Sequence, residues 1–342
     1  VGGRIGAVEG MDVMTWTQHR VFVTGATGIV GSWLVKRLIR EGAYVVALVR
    51  DADPQSELIR SGDLQRVSVV NGALEQYDTI ERAINEHEID TVFHLGAQPI
   101  VQTALRNPLP TFEANIRGSY HVLEACRVHR GLVKRVVVAS SDKAYGDVEK
   151  LPYTEDMPVN GRHPYDVSKS CTDLLAMTYA HTYATPVTIA RCGNIYGGGD
   201  LNWSRIVPGT IRSLLAGERP IIRSNGLFTR DYIYVEDVVD AYLALAAASD
   251  RADVAGEAFN FSPESRLTVL DITKAIQRLV GRADLEPIIQ DQAKAEIKDQ
   301  YLDSAKAQRL LQWRPAYTLD RGLAETIAWY RAFLGERAPA AV

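Results

Sequence analysis

Two short stretches hold the residues of this chain best suited to chemistry. One is Ser140-Ser141-Asp142-Lys143; the other, 22 residues after Lys143, is Tyr165-Asp166-Val167-Ser168-Lys169. Tyr165 and Lys169 are four apart, so on a helix they project from one face, a turn apart. That sets an ammonium beside a phenol. A phenol titrates near ~10, and lowering it by ~3 units takes roughly 4 kcal/mol. A neighbouring cation has the right sign to favour phenolate. Ser141, at the end of an apolar strand, could hold an alcohol against that phenolate. Asp142 and Lys143 offer a second acid and base, so the site is expected to move more than one proton per turnover. The plain alternative for this pair is an Asp that caps a turn and a solvated Lys.

The elements that must position these groups follow from hydrophobic pattern. Short β-rich runs are expected at Arg20–Thr24, Tyr44–Val49, Val67–Val70, Thr91–Leu95, Arg135–Ser140 and Val187–Arg191. Helical stretches separate them at Gly28–Glu41, Gln76–Glu86, Leu109–His129 and Pro164–Tyr183. Pro164, just before Tyr165, suits the first turn of a helix. Such alternation is the pattern of an α/β, doubly wound parallel sheet with helices on both faces. Ligands then gather along the edge where the strands end. After Arg191 the pattern loosens into shorter pieces, the expected smaller C-terminal substrate-binding lobe. The divisions are a loose leader over 1–18, a dinucleotide-binding domain over 19–191 to which 234–261 returns, and a lobe built from 192–233 and 262–336.

The first strand runs straight into Gly25-Ala26-Thr27-Gly28-Ile29-Val30-Gly31. Gly25 permits the tight turn, Gly28 lets backbone approach a diphosphate, and Gly31 lets helix pack on strand. The diphosphate would sit on the free N–H groups of the helix N-terminus. This placement points to a nicotinamide dinucleotide, whose positive ring adds to the stabilisation of a Tyr165 phenolate. The second strand ends in Arg50-Asp51. Arg50 favours the 2′-phosphate of NADP, Asp51 the ribose hydroxyls of NAD, and the balance leans to Arg50 and NADP.

Composition narrows the class. The 342 residues carry a net charge of −4, with 46% hydrophobic and 23% charged residues. That gives no electrostatic case for nucleic acid or an anionic membrane. No apolar run reaches the length of a membrane span. Residues 1–20 have no apolar stretch of the signal-peptide kind, and Met11 or Met14 could be the start. Cys126, Cys171 and Cys192 are scattered without metal-ligand spacing, which fits a reduced, cytoplasmic compartment. Cys171 and Cys192 read as packing residues and His94 as a satisfied structural histidine. Arg191, Asn194, Arg205 and Arg230 gather past the last core strand, where arginine forks would suit diphosphate oxygens.

At this point the residues resemble the extended short-chain dehydrogenases/reductases acting on nucleotide sugars, over about Arg20 to Leu334. Gly31-Ser32-Trp33-Leu34, Val92-Phe93-His94-Leu95-Gly96-Ala97-Gln98-Pro99, Ser141-Asp142-Lys143 and Arg191-Cys192-Gly193-Asn194 with Gly197-Gly198-Gly199-Asp200 carry the likeness. Within that group the chain is most similar to CDP-glucose 4,6-dehydratases. The resemblance implies a Rossmann-type fold, a lyase that keeps its nicotinamide cofactor bound, and deoxysugar chemistry. It implies Tyr165 as the base at the sugar 4-hydroxyl, Ser141 orienting that hydroxyl, and Lys169 holding the nicotinamide ribose while lowering the Tyr165 pKa. Lys143 would remove the proton at position 5 and Asp142 would protonate the departing 6-hydroxyl. Cofactor contacts are implied for Gly25, Thr27, Gly28, Ile29, Gly31, Arg50, Leu74, Leu95 and Ala97, and substrate contacts for Gln98, Asn194, Arg205 and Arg230. Ala73 stands where the family commonly has an adenine-binding Asp. Helices Leu109–His129 and Pro164–Tyr183 would pair in a homodimer's four-helix interface. Two other readings are an NDP-sugar 4-epimerase, for which Asp142 and Lys143 are incidental, and an inactive nucleotide-binding scaffold.

Overall fold

The protein is described by a computed structural model covering residues 14–292 and 297–335. Its first half alternates β1 (Arg20–Thr24), α1 (Ile29–Arg40), β2 (Tyr44–Val49), the single turn α2 (Glu57–Arg60), β3 (Ser68–Asn71), α3 (Tyr77–Glu86) and β4 (Thr91–His94). Next come α4 (Val101–Arg106), α5 (Pro108–Phe112), α6 (Gly118–Val128), β5 (Arg135–Ala139), α7 (Pro164–Tyr183) and β6 (Val187–Cys192). The second half holds β7 (Asn194–Tyr196), α8 (Ile206–Leu215), β8 (Ile221–Ile222), β9 (Thr229–Arg230), β10 (Tyr232–Tyr234), α9 (Val235–Ala248) and β11 (Ala258–Phe261). It closes with β12 (Leu267–Thr268), α10 (Val269–Val280), β13 (Ile288–Ile289), β14 (Asp299–Gln300), α11 (Ala305–Leu311) and α12 (Leu319–Gly335).

Seven strands form one sheet in the order β11-β6-β5-β4-β1-β2-β3, and every neighbouring pair is parallel. The strand order reverses direction between β1 and β4, the place where α/β sheets open a crevice for ligands. Strands such as β6 are buried along their whole length, as expected when helices cover both faces. One core joins that sheet to α1 and α9, and the other joins it to α3, α6 and α7. Strand β11 belongs to the main sheet beside β6, although its sequence lies beyond the first pieces of the smaller lobe.

The smaller lobe has its own core, with Val207, Ile211, Ile272, Ile276, Leu323 and Tyr330 packed together. Its strands are short: β7 pairs with β10, β9 with β12 and β14, and β8 with β13. Helix α10 opens on a reciprocal cap between Thr268 and Asp271, which satisfies two otherwise orphaned backbone donors.

Two expectations are corrected here. The stretch 1–18 is not loose throughout: Trp16 is buried and packs against Phe93 with ring centroids 5.9 Å apart. Residues 1–13 lie outside the described residues. The helix expected over Leu109–His129 is three pieces, with a π-helical turn at Glu113–Arg117 between α5 and α6. That turn frees the Asn115 carbonyl, which accepts from Ser119 and from Thr172 on α7. The Asn115 side chain holds the loop after β4, its Oδ1 accepting from the Gln98 amide at 2.7 Å while its Nδ2 donates to Ser168 at 2.9 Å.

Candidate active site

A cavity of about 830 Å³ opens along the carboxyl ends of the strands and extends between the two lobes. One half is bordered by the glycine turn after β1. Gly25 has φ +69°, and a Cβ there would lie 2.7 Å from the Gly96 amide nitrogen. A Cβ on Gly31 would lie 2.1 Å from the Gly25 carbonyl oxygen. Only glycine fits either place. Helix α1 starts at Gly28 with no side-chain cap, so its first amides are left for an anion. Thr27, Ile29, Leu74, Leu95 and Ala97 line the same half, as do Arg50 and Asp51. This cradle fits a dinucleotide. Arg50 Nε donates to Asp51 at 2.6 Å in an exposed ion pair on this border.

The other half contains the acid–base groups. Strand β5 ends at Ala139, and Ser141 turns the chain: its Oγ accepts from the Lys143 amide and donates to Asp142 Oδ1 at 2.9 Å. The next residues form a 3₁₀ turn, Asp142–Tyr145. Tyr165 sits at the start of α7, after Pro164, and is hydrogen-bonded to Ser141. Ser141, Asp142, Lys143, Tyr165 and Lys169 therefore share one cavity wall. Lys143 Nζ lies 3.3 Å from Asp142 Oδ1, whereas Asp142 Oδ2 is buried without a hydrogen-bond partner.

Burial pushes the Tyr165 phenol up to about 12; the Arg205 cation and the Ser141 hydrogen bond oppose it, and the Asp142 carboxylate adds to it. Lys169, expected to lower this phenol, is not among the groups that act on it most strongly. Lys169 is itself pushed down to about 8 by burial, with Asp173 opposing, and its Nζ donates to the Ala139 carbonyl at 2.7 Å. Arg205 is the cation that acts most strongly on Tyr165.

The expected arginine cluster divides. Asn194, Arg205 and Arg230 line the cavity, and Asn194 Nδ2 is buried without a partner. Arg205 pairs with the buried Asp200 at 3.1 Å. Arg230 donates to the carbonyls of Thr229, Ile297 and Lys298. Arg191 is a structural residue instead: it is buried and binds both Asp173 oxygens and the Tyr145 hydroxyl. Gln98 is not on the cavity wall either, because its amide is spent on Ile100 and Thr111. His94 is held between Thr24 and Ser119, and burial pushes it down to about 3, so it stays neutral.

Asp166 and His163 are among the wall residues missed from the sequence. Asp166 follows Tyr165 and is buried, which pushes its carboxyl up against the opposing charges of Lys143 and His163. His163 also lines the cavity. Their adjacency to Tyr165 was the available signal.

A family model described as GDP-mannose 4,6 dehydratase matches residues 22–326. The chain belongs to this extended short-chain dehydrogenase/reductase family of nucleotide-sugar dehydratases and epimerases. It is 30% identical over 339 residues to a CDP-glucose 4,6-dehydratase of Salmonella typhimurium, covering 95% of this chain and 94% of that one. A UDP-glucose 4-epimerase of Thermotoga maritima, solved with UDP-glucose, superimposes with a TM-score of 0.84 at 29% identity, covering 92% and 99% of the two chains. A dTDP-glucose 4,6-dehydratase of Streptomyces venezuelae, solved with NAD bound, gives a TM-score of 0.84 at 25% identity, covering 93% and 98%. Among the described residues no helix is long and apolar enough to cross a membrane.

Proposed function

We propose that the protein is an NDP-hexose 4,6-dehydratase that converts its substrate to an NDP-4-keto-6-deoxyhexose and water. One observation carries this reading: a second acid–base pair, Asp142 and Lys143, adjoins Ser141 and Tyr165 in one cavity, with Asp142 Oδ2 buried and unpartnered. Oxidation at a sugar carbon needs only the Ser141–Tyr165 part; elimination needs another base and another acid.

Gly25, Gly28, Ile29 and Gly31 would hold the dinucleotide's diphosphate, with Leu74, Leu95 and Ala97 along its length. When bound, the nicotinamide supplies a hydride acceptor at sugar position 4 and a hydride donor at position 6. Ser141 orients the 4-hydroxyl and Tyr165 takes its proton. The 4-ketone acidifies the proton at position 5. Lys143 as neutral amine removes that proton, Asp142 as acid protonates the 6-hydroxyl, which leaves as water, and the Lys143 ammonium would return its proton to position 5 as position 6 is reduced. The 3.3 Å between Lys143 Nζ and Asp142 Oδ1 sets the base and the acid side by side for the two transfers. Asn194 and Arg205 would meet the diphosphate of the substrate, with Arg230 beside them on the wall, its guanidinium held by three backbone carbonyls. Asp51, which borders the cavity beside Arg50, offers a carboxylate to ribose hydroxyls, which supports NAD over NADP.

Incubation with CDP-, UDP-, dTDP- and GDP-hexoses, followed by mass spectrometry, tests the reading. A product lighter by one water supports dehydration; an isomer of unchanged mass replaces it with epimerisation. Leu109, Tyr120 and Val128 on α5 and α6, and Leu174 and Tyr183 on α7, are exposed apolar residues, which supports a homodimer through these helices. Three unpaired thiols suit a reducing, cytoplasmic compartment.

A further inference from the structure

Helix α12 belongs to the smaller lobe, yet it reaches the far end of the cofactor half. Trp329 Nε1 donates to the buried carboxylate of Glu57 at 2.8 Å, across 272 residues of sequence. The same carboxylate receives Lys36 Nζ from α1 at 2.5 Å and the Arg60 guanidinium at 3.2 Å. Trp329 is stacked on Phe333, with centroids 4.8 Å apart and planes 16° apart, and Arg60 lies over its ring at 5.0 Å. Glu57 closes the segment after β2 in which Asp51, Asp53 and Ser56 border the cavity. That segment has no regular structure before α2, so Glu57 is where it is tied down.

A second strand of contacts passes through the glycine loop. Trp33 on α1 donates to the Gly198 carbonyl at 2.8 Å. A Cβ on Gly198 would lie 2.3 Å from the Trp329 ring, and one on Gly199, at φ +90°, would lie 3.1 Å from Glu57 Cβ. The next residue along α12, Tyr330, donates to the Asp200 carbonyl at 2.6 Å, and the Asp200 side chain holds Arg205. Adjacent residues of one helix thus grip the cofactor border and the substrate loop.

We propose that the Trp329–Glu57 contact is a latch: the last helix of the smaller lobe holds the segment bordering the ribose end of the cofactor cavity and sets how long the dinucleotide stays bound. The proposal rests on the dinucleotide reading of that cavity. It suits a reaction that regenerates its cofactor at each turnover, in which release serves no purpose.

The test is exchange of bound cofactor, which needs no turnover. The dinucleotide carried by the purified protein is released by heat, identified by mass, and used in radiolabelled form to time exchange with the intact protein. Trp329→Phe keeps the ring stack and loses the N–H; Glu57→Gln keeps the shape and loses the charge. Each is expected to exchange about tenfold faster or more, the size of one lost charge-assisted hydrogen bond. Gly198→Ala should do the same by displacing Trp329. The thermal midpoint of Trp329→Phe, which keeps the ring and leaves the Glu57 ion pairs whole, should stay within a few degrees of the parent with saturating cofactor, which separates a latch from general loss of packing. Exchange within about twofold of the parent in both Trp329→Phe and Glu57→Gln overturns the latch alone. A protein that binds neither NAD nor NADP on direct titration overturns the cofactor reading and the latch together.

Discussion

Lys143 Nζ lies 3.3 Å from Asp142 Oδ1, and the second oxygen of the same carboxylate faces no partner in a buried setting. On the proposed reading these two side chains are the acid and base of the elimination, which an epimerase would not need.

Lys143→Met and Asp142→Asn are expected to cut water loss by roughly 10²–10⁴-fold, the usual yield of a positioned acid or base. Both should leave oxidation at position 4 intact. Absorbance of reduced nicotinamide at 340 nm after mixing with substrate would then rise and persist. Full dehydration in both variants would remove the two residues from the mechanism.

Tyr165 is opposed in its burial chiefly by Arg205, so removing that cation should make the phenolate harder to form. Arg205→Met is expected to move the acidic limb of the rate–pH profile upward by ~1 unit or less, with Arg205→Lys restoring much of it. Pre-steady-state oxidation measured from pH 6 to 10 checks this. Tyr165→Phe should abolish oxidation at every pH.

Much of the fold was legible because alternating short apolar runs and helical stretches report burial directly. Strands β1 and β2 and helix α7 fall on their expected bounds. The glycine turn, and the gathering of Ser141, Asp142, Lys143, Tyr165 and Lys169 on one wall, were legible for a similar reason, since backbone strain and helical spacing are local. What sequence could not display is how a polar side chain spends its hydrogen bonds. Arg191 and Arg205 look alike as letters, but one is consumed by a buried carboxylate and the other reaches the cavity. Gln98 sits in a motif yet turns its amide into its own loop. Trp329 and Glu57 are brought together only by the closed fold.

Lys169 makes a pH prediction for stability. Its ammonium is disfavoured in the folded protein, where it titrates near about 8 against an ordinary 10.5. Between those values the unfolded chain binds more protons, so stability rises with pH across that window. Below about 8 the full penalty, a few kcal/mol, is present. Urea unfolding from pH 7 to 10.5 should show this rise in the parent and a flatter curve in Lys169→Met. The same slope in both would show that Lys169 is not held in this state.

Cofactor choice should follow the Arg50–Asp51 pair. NAD is expected to bind more tightly than NADP, and Asp51→Ala should narrow the difference by about tenfold, as for a lost hydrogen bond to a ribose hydroxyl. Arg50→Ala should leave NAD affinity within ~2-fold, because an exposed ion pair contributes little. Titration of protein freed of bound nucleotide with each dinucleotide measures both.

The Asp173–Arg191 pair tests how the catalytic turn is held. Both side chains are buried, and Arg191 binds both Asp173 oxygens, at 2.6 and 3.1 Å. Asp173 also accepts from Ser140, the residue before Ser141, and Arg191 donates to Tyr145, the last residue of the turn, at 2.8 Å. The two ends of Ser141–Tyr145 are thus tied to one ion pair between α7 and β6. Losing one partner strands a buried charge, which costs about 3–5 kcal/mol. Arg191→Met is therefore expected to lower the urea midpoint sharply. Tyr145→Phe leaves the ion pair whole but removes the tie to the turn together with the bond from the Tyr145 hydroxyl to Asn260 Oδ1, so it should lower the urea midpoint less than Arg191→Met does while dehydrating about tenfold more slowly at unchanged KM. Dehydration at the parent's rate in Tyr145→Phe would mean that the turn holds its place without Arg191.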